Sequence, residues 1–344
     1  MDIEIQTHRE VRLASHPEGR LLPEHLMLVE TTLPEPAANE IVVRNRWFRV
    51  SISTRMMATR GAAAVNGIPF PALKLGDVLA DGAIGEVVSC SPQSGFQVGD
   101  FVSHNLGWRE YAVVDAGHCV ALGGKSIDPV AYLGHGWTAY AALTRGIQIR
   151  EGDTVFVSSG AGAIGSMAGQ IARKLGAGRV IGSTSTQDKA DWMKADLGYD
   201  AVVMRHGRPI IEQLAEAAPD GIDVFVDMVG GEQLTAAIAL AREGARFVLL
   251  GALTAELNAK ESSILAPVEL DSFRLIIKGI TLRGYSADSD ASDAFEEWMQ
   301  CARKWQGEAG FCLTHTKFVG IENAPQALHE ACAGRLRGVV IVEL

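Results

Sequence analysis

Read only for hydrophobic and polar positions, the chain changes character near Asp128. Before it, short apolar or alternating runs of strand length stand at residues 41–50, 85–89 and 111–114. Turns rich in Pro and Gly separate them, as at Ser91-Pro92 and Val98-Gly99-Asp100, so this part reads as β. From Asp128 onward, helical and strand periods alternate. Helices are predicted over residues 129–144, 164–175, 188–197, 209–217 and 231–241, with strands starting at Thr154, Arg179, Ala201, Ile222, Ala245 and Ile280. Such alternation predicts an α/β fold with a doubly wound parallel sheet of six strands. A helix over about 291–305 and a late apolar strand, 338–342, follow, and the strand is expected to return to the first β region. The expected organisation is therefore a β domain over 1–125, completed by about 306–344, around an α/β domain over 126–305. Two long connections, 55–75 and 253–273, are expected to shape a pocket.

The most informative stretch runs from Val155 to Gly165. It is an apolar strand, a glycine-rich turn (Gly160-Ala161-Gly162-Ala163-Ile164-Gly165) and the start of an amphipathic helix. Gly160 permits the turn, Gly162 lets the backbone approach a pyrophosphate, and Gly165 lets helix and strand pack closely. The helix start, with its unpaired N–H groups and positive dipole end, suits phosphate.

The next strand points to a particular dinucleotide. An NAD enzyme places Asp or Glu about twenty residues past the first glycine to hold the ribose hydroxyls. Here that place holds Ser183, Thr184, Ser185 and Thr186, with Lys189 just beyond and Arg205 after the following strand. Hydroxyls and cations in place of a carboxylate suit a 2′-phosphate, so NADP(H) is expected.

Composition narrows the class without changing this picture. The 344 residues are 47% hydrophobic and 21% charged, enough for ordinary cores. A net charge of −10 argues against a general nucleic-acid or anionic-membrane partner. No apolar run reaches the length of a membrane span, and Met1-Asp2-Ile3-Glu4 does not read as a signal peptide. Five scattered cysteines (Cys90, Cys119, Cys301, Cys312, Cys332) form no CxxC, as expected of reduced thiols in a cytoplasm.

Four blocks then carry a family likeness: Leu106-Gly107-Trp108-Arg109-Glu110-Tyr111, Gly136-Trp137-Thr138-Ala139-Tyr140, Gly152-Asp153-Thr154-Val155 and Asp227-Met228-Val229-Gly230-Gly231. In order and spacing the whole chain resembles the zinc-independent medium-chain dehydrogenase/reductases. Within them it looks most like the prostaglandin reductase and alkenal/curcumin double-bond reductase branch. The resemblance implies a GroES-like β domain, a Rossmann domain and a catalytic cleft between them. It implies NADPH-dependent reduction of the carbon–carbon double bond of α,β-unsaturated carbonyl compounds. It also implies a homodimer paired through an exposed Rossmann edge strand. By the same resemblance Gly162 and Gly165 match pyrophosphate-binding positions, Lys189 holds the 2′-phosphate, Gly251 and Ala252 pass the nicotinamide, and Ala163, Ile164 and Val229 belong to the cofactor site. Arg205 falls where the branch often has a tyrosine near that phosphate, and Arg335 falls where it has a cofactor-contacting asparagine.

The chain departs from the branch where substrate is expected. Ser53-Thr54-Arg55-Met56-Met57 replaces a segment whose tyrosine commonly faces substrate, and residues 254–258 also lack an expected tyrosine. Arg55 is thus the sharpest catalytic candidate, because a guanidinium forks onto a carboxylate or enolate. Tyr285 is a candidate pocket residue or proton donor, and His135 a candidate proton relay. Tyr140 is read as core packing and Trp108 as packing between domains. The places of the zinc ligands in metal-dependent relatives hold Ser51, Ser53 and Ala80-Asp81-Gly82, and no four-ligand set can be assembled, so no metal is expected. Two alternatives remain: a quinone oxidoreductase of the zeta-crystallin type, and an NADPH-binding protein without turnover.

Overall fold

The computed structural model describes residues 7–62, 71–123, 128–258, 265–286 and 293–344. The chain forms two compact units. The first takes residues up to Gly134 and again from His315 to Leu344, and the second takes the described residues between them.

In the first unit, β1 (Thr7–Leu13) and β2 (Leu26–Thr32) pair antiparallel. The long strand β3 (Glu40–Arg49) leads into a short helix, α1 (Ser53–Met57). Strands β4 (Ala83–Cys90), β5 (Phe101–His104), β6 (Tyr111–Asp115) and β7 (Val120–Ala121) follow. β3 is the hub: antiparallel β4 and β6 both pair with it, β5 pairs with β4, and β7 with β5. Trp108, read from the sequence as packing between domains, packs within this unit. It is fully buried in this unit's core, its ring 5.4 Å from that of Phe48.

The predicted helix over 129–144 is broken. α2 (Pro129–Leu133) starts at Asp128, whose carboxylate accepts from Val130 N (2.9 Å), and ends at Gly134, which is extended (φ −73°, ψ 165°). A Cβ at Gly134 would sit 2.3 Å from the Val130 carbonyl oxygen, so glycine is what permits the exit. α2 packs on β3 and β4, and Leu133 O accepts from Arg49 Nη1 (3.3 Å), which is why the first unit runs past residue 125 to Gly134.

In the second unit, α3 (Gly136–Ala141) runs into a π-helical turn, Ala142–Gly146. Strand–helix alternation follows: β8 (Thr154–Val157), α4 (Gly165–Lys174), β9 (Arg179–Thr184), α5 (Gln187–Asp196), β10 (Ala201–Met204), α6 (Ile210–Ala217), β11 (Ile222–Asp227) and α7 (Gly231–Ala239). β12 (Ala241–Leu249), α8 (Leu253–Glu256), α9 (Ser272–Ile277), β13 (Thr281–Gly284) and α10 (Ala294–Trp305) complete it. The six strands are all parallel, in the order β10-β9-β8-β11-β12-β13. The order reverses between β8 and β11, which makes the C-terminal end of β8 the topological switch point. Across β8, β11 and β12, Phe156 stacks on Phe225 (centroids 4.8 Å apart), and Phe225 meets Phe247 edge to face (5.5 Å). All three are fully buried, and each contributes roughly 1.5–3 kcal/mol of burial. Tyr140 is core, as read from sequence: its ring lies 6.3 Å from Trp298 and 6.5 Å from Trp305, and burial pushes its hydroxyl up to about 12.

Residues after α10 remain in this unit to Thr314. Gln170 of α4 accepts from Cys312 N (2.7 Å) and donates to Cys312 O (3.1 Å), and the Ser166 and Thr314 hydroxyls bond at 2.6 Å. The chain then adds β14 (His315–Val319), α11 (Ala324–Cys332) and β15 (Val339–Glu343) to the first unit. β15 pairs parallel with β14 and antiparallel with the end of β3.

Candidate dinucleotide site

The glycine-rich turn lies at the C-terminal end of β8, and α4 starts from it. Its shape depends on close backbone contact. Ser159 adopts a left-handed conformation (φ 51°), its carbonyl accepts from Gly162 N (2.8 Å), and Gly160 N donates to Ser183 O (2.8 Å). A Cβ at Gly165 would lie 2.2 Å from Ser159 O, and one at Gly162 would lie 2.9 Å from Ser159 Oγ. The cradle therefore exists only because side chains are missing there. In the first turn of α4, Ser166 N donates to Gly162 O (2.9 Å) and Met167 N and Ala168 N to Ile164 O (3.0 and 2.8 Å), so what the helix start offers an anionic group is the positive end of its dipole and the backbone of the turn before it. Behind the turn, a buried Tyr199 donates to Gly165 O (2.7 Å) and fills space opened by Gly160, Gly169 and Gly182.

Two hydrogen-bonded chains hold the turn from below, and neither is evident in the sequence. Ser159 N donates to Ser183 Oγ (3.0 Å), which donates to Gln233 Oε1 on α7 (2.6 Å). Ser158 Oγ donates to Asp227 Oδ1 (2.8 Å) and accepts from Met228 N (2.8 Å), while Val229 N and Gly230 N both donate to the Asp227 carboxylate. Burial raises the Asp227 carboxyl above the usual carboxylate range, opposed by these donors. The contacts span fifty to seventy residues, so only the folded sheet reveals them.

The predicted residues of this unit gather at one edge. The C-terminal ends of the parallel strands carry, across the sheet, Arg205 (after β10), Ser183 and Ser185 (β9), Gly160 to Gly165 (β8), Val229 (β11), Gly251 and Ala252 (β12) and Tyr285 (β13). Lys189 lies in α5 and is almost fully buried, whereas Arg205 is exposed. Ser183 needs a correction: its hydroxyl is committed to Ser159 N and Gln233, so it pins the turn and is spent as a phosphate ligand. Tyr285 packs beside Trp137, Ala141 and Ala294, with the Arg283 guanidinium 5.6 Å from its ring centroid. His135 caps α3 through its carbonyl, which accepts from Ala139 N (3.1 Å).

Arg55 and Arg335 belong to the first unit. Arg55 lies in α1, not in an open loop; it is 2% exposed, and its Nη2 donates to Gly19 O (2.8 Å). Burial lowers its guanidinium pKa. The expected role facing substrate is thus replaced by one inside the unit, tying α1 to the segment around Gly19. Arg335 pairs with Glu330 at 2.9 Å. Where zinc ligands would fall, the Asp81 carboxylate accepts from Arg49 Nε (2.8 Å), Ser51 N (3.0 Å) and Gly82 N (2.7 Å). Among the described residues, no group of three or more His, Cys, Asp or Glu is gathered as a metal would require. Nor is any helix among them long and apolar enough to cross a membrane.

Comparison with known proteins agrees with this architecture. Residues 163–304 match the model of the zinc-binding dehydrogenase family, and residues 9–122 that of the N-terminal domain of oxidoreductase. YfmJ of Bacillus subtilis (strain 168), named as an NADP-dependent oxidoreductase, is 31% identical over 98% of both chains. The chain belongs to the medium-chain dehydrogenase/reductase family. Its likeness falls in the double-bond reductase branch. The NADPH-dependent curcumin reductase of Escherichia coli (strain K12) is 29% identical over 98% of this chain and 97% of that protein. The crystal structure of CurA from Vibrio vulnificus in complex with NADPH superposes with a TM-score of 0.86, at 28% identity, covering 97% and 98% of the two chains.

Proposed function

We propose that this medium-chain dehydrogenase/reductase is a cytoplasmic, metal-independent homodimer that reduces the carbon–carbon double bond of α,β-unsaturated carbonyl compounds with NADPH. The observation that carries the reading is the glycine cradle at the end of β8 with Lys189, and no carboxylate among residues 183–186, beside the end of β9. Similarity to the curcumin reductase, and to the NADP(+)-dependent 2-alkenal reductase of Nicotiana tabacum at 26% identity over 91% of this chain, supports the reaction class.

Bound NADPH supplies a hydride. Gly162, Ala163, Ile164 and Gly165 offer their backbone to its pyrophosphate, and Lys189 with Ser185 and Arg205 suits its 2′-phosphate. Val229, Gly251 and Ala252 border the nicotinamide half. The Ser183–Gln233 and Ser158–Asp227 chains keep these backbone groups in place before the cofactor arrives, so orientation costs little at the moment of reaction. The exposed edge strand β13 and the exposed Phe273, Ile276 and Ile277 of α9 support pairing of two copies through this unit. The deciding assay follows NADPH oxidation with a panel of enones and enals, with quinones, and with no acceptor, after exhaustive chelation. Enone and enal turnover that survives chelation is expected. Turnover confined to quinones, or restored only by zinc, refutes the proposal.

A further inference from the structure

Glu256 is a carboxylate at the edge of the site to which no role has yet been given. It closes α8, the short helix that follows β12 at the C-terminal edge of the sheet. That helix is fastened to the neighbouring β11 turn: Leu253 N donates to Met228 O (3.0 Å), and Thr254 Oγ1 to Val229 O (2.8 Å). Glu256 Oε1 accepts from Ala252 N (3.1 Å) and lies 3.8 Å from where a Cβ on Gly251 would stand. The carboxyl is therefore held against Gly251 and Ala252. In a doubly wound sheet the dinucleotide spans the switch point, with its adenosine half over the strands on the ribose-recognition side. That side is β9 and β10 here, which leaves β11 and β12, and hence α8, under the nicotinamide half.

We infer that Glu256 is the proton donor of the double-bond reduction, delivering its carboxyl proton to the substrate α-carbon. The inference rests on the function proposed above. As the hydride of NADPH forms a C–H bond at the β-carbon, the double-bond electron pair moves through the α-carbon onto the carbonyl oxygen. The resulting enolate takes the Glu256 proton at the α-carbon, and the carboxylate left behind regains a proton from water. Hydride and proton together add two hydrogens, and NADP⁺ is the oxidised product. A proton donor must carry its proton at neutral pH, and burial does raise this carboxyl above the usual carboxylate range, against the opposing Ala252 hydrogen bond.

The rival reading is a helix cap, since a glutamate in the first turn often reaches back to an amide at the helix start. Glu256→Gln separates the two. Its amide oxygen still accepts from Ala252 N, but its amide is no usable acid. With (E)-3-nonen-2-one as probe, Glu256→Gln is expected to lower kcat at least tenfold. Its NADPH Kd, from fluorescence titration, and its Tm should stay close to wild type. Infrared difference spectra of the cofactor-free protein at neutral pH should show a protonated carboxyl band that the variant lacks. A kcat within twofold of wild type, an ionised Glu256 in the spectra, or a loss of activity matched by loss of NADPH binding overturns the inference. Wild-type protein that reduces no enone overturns the proposed function, and this inference with it.

Discussion

Lys189 shows how one side chain can set cofactor choice. It is almost fully buried in α5, beyond a strand end that carries hydroxyls in place of a carboxylate. Lys189→Ala should reduce kcat/KM for NADPH at least tenfold, about 1.4 kcal/mol, and leave NADH use nearly unchanged. Equal losses with both cofactors would make the lysine a stability residue. Arg55 teaches the opposite lesson. Its guanidinium holds the Gly19 carbonyl inside the first unit, so Arg55→Ala should cost about 1.5–3 kcal/mol of stability. Thermal melting should show that loss, and neutral and anionic enones should suffer alike; selective loss of anionic substrates would return Arg55 to the substrate site. His104 makes a third case. Its Nδ1 accepts from Leu106 N (3.0 Å) and its Nε2 donates to Asn45 Oδ1 (2.9 Å), so the fold demands the neutral ring, and burial pushes its pKa to about 3. The unfolded chain binds this proton near pH 6.5 and the folded chain does not. Stability from this group is thus present above pH 6.5 and falls as pH drops from there towards 3, by up to about 1.4 kcal/mol per pH unit. NMR of the His104 ring should show no titration above pH 4; a midpoint near 6.5 would contradict the burial argument.

Among elements, the β8–α4 turn is the least forgiving. Gly165→Ala would place a methyl 2.2 Å from the Ser159 carbonyl, which can yield only if the turn opens. NADPH affinity should fall at least tenfold, about 1.4 kcal/mol, in a fluorescence titration; unchanged affinity would mean that the turn does not carry the phosphates. This element was fully legible in the sequence, because the glycine spacing and the strand and helix on either side are all local. So was the alternation from Thr154 onward. The break at Gly134, the π-helical turn Ala142–Gly146 and the start of β12 at Ala241 instead of Ala245 were not. Each is decided by what the segment packs against, as when α2 settles on β3 and β4. The site's supports were hidden for the same reason. Ser183 reads as a phosphate hydroxyl until Gln233, fifty residues on, is seen to hold it, and Arg55 reads as a cation facing substrate until its bond to Gly19 is seen.

At the scale of the whole molecule, β13 ends the six-stranded sheet with one side unpaired among the described residues, and the adjoining α9 leaves Phe273 69%, Ile276 75% and Ile277 61% exposed. Light scattering should give twice the chain mass of 36.7 kDa, and Ile276→Glu should shift the population toward the single chain. A mass near that of one chain for wild type at micromolar concentration would rule out a stable dimer.

The pairing of β15 with β3 has a consequence for the order of events at the ribosome. The first unit is written in two instalments, and the second, from His315, is translated only after residues 135–314. While those residues emerge, the flank of β3 that will receive Ile341, Val342 and Glu343 stands open, a raw sheet edge on a nascent chain. All six strands of the α/β unit's sheet lie within residues 135–314 and are complete before His315 is reached. What is synthesised first is therefore finished last.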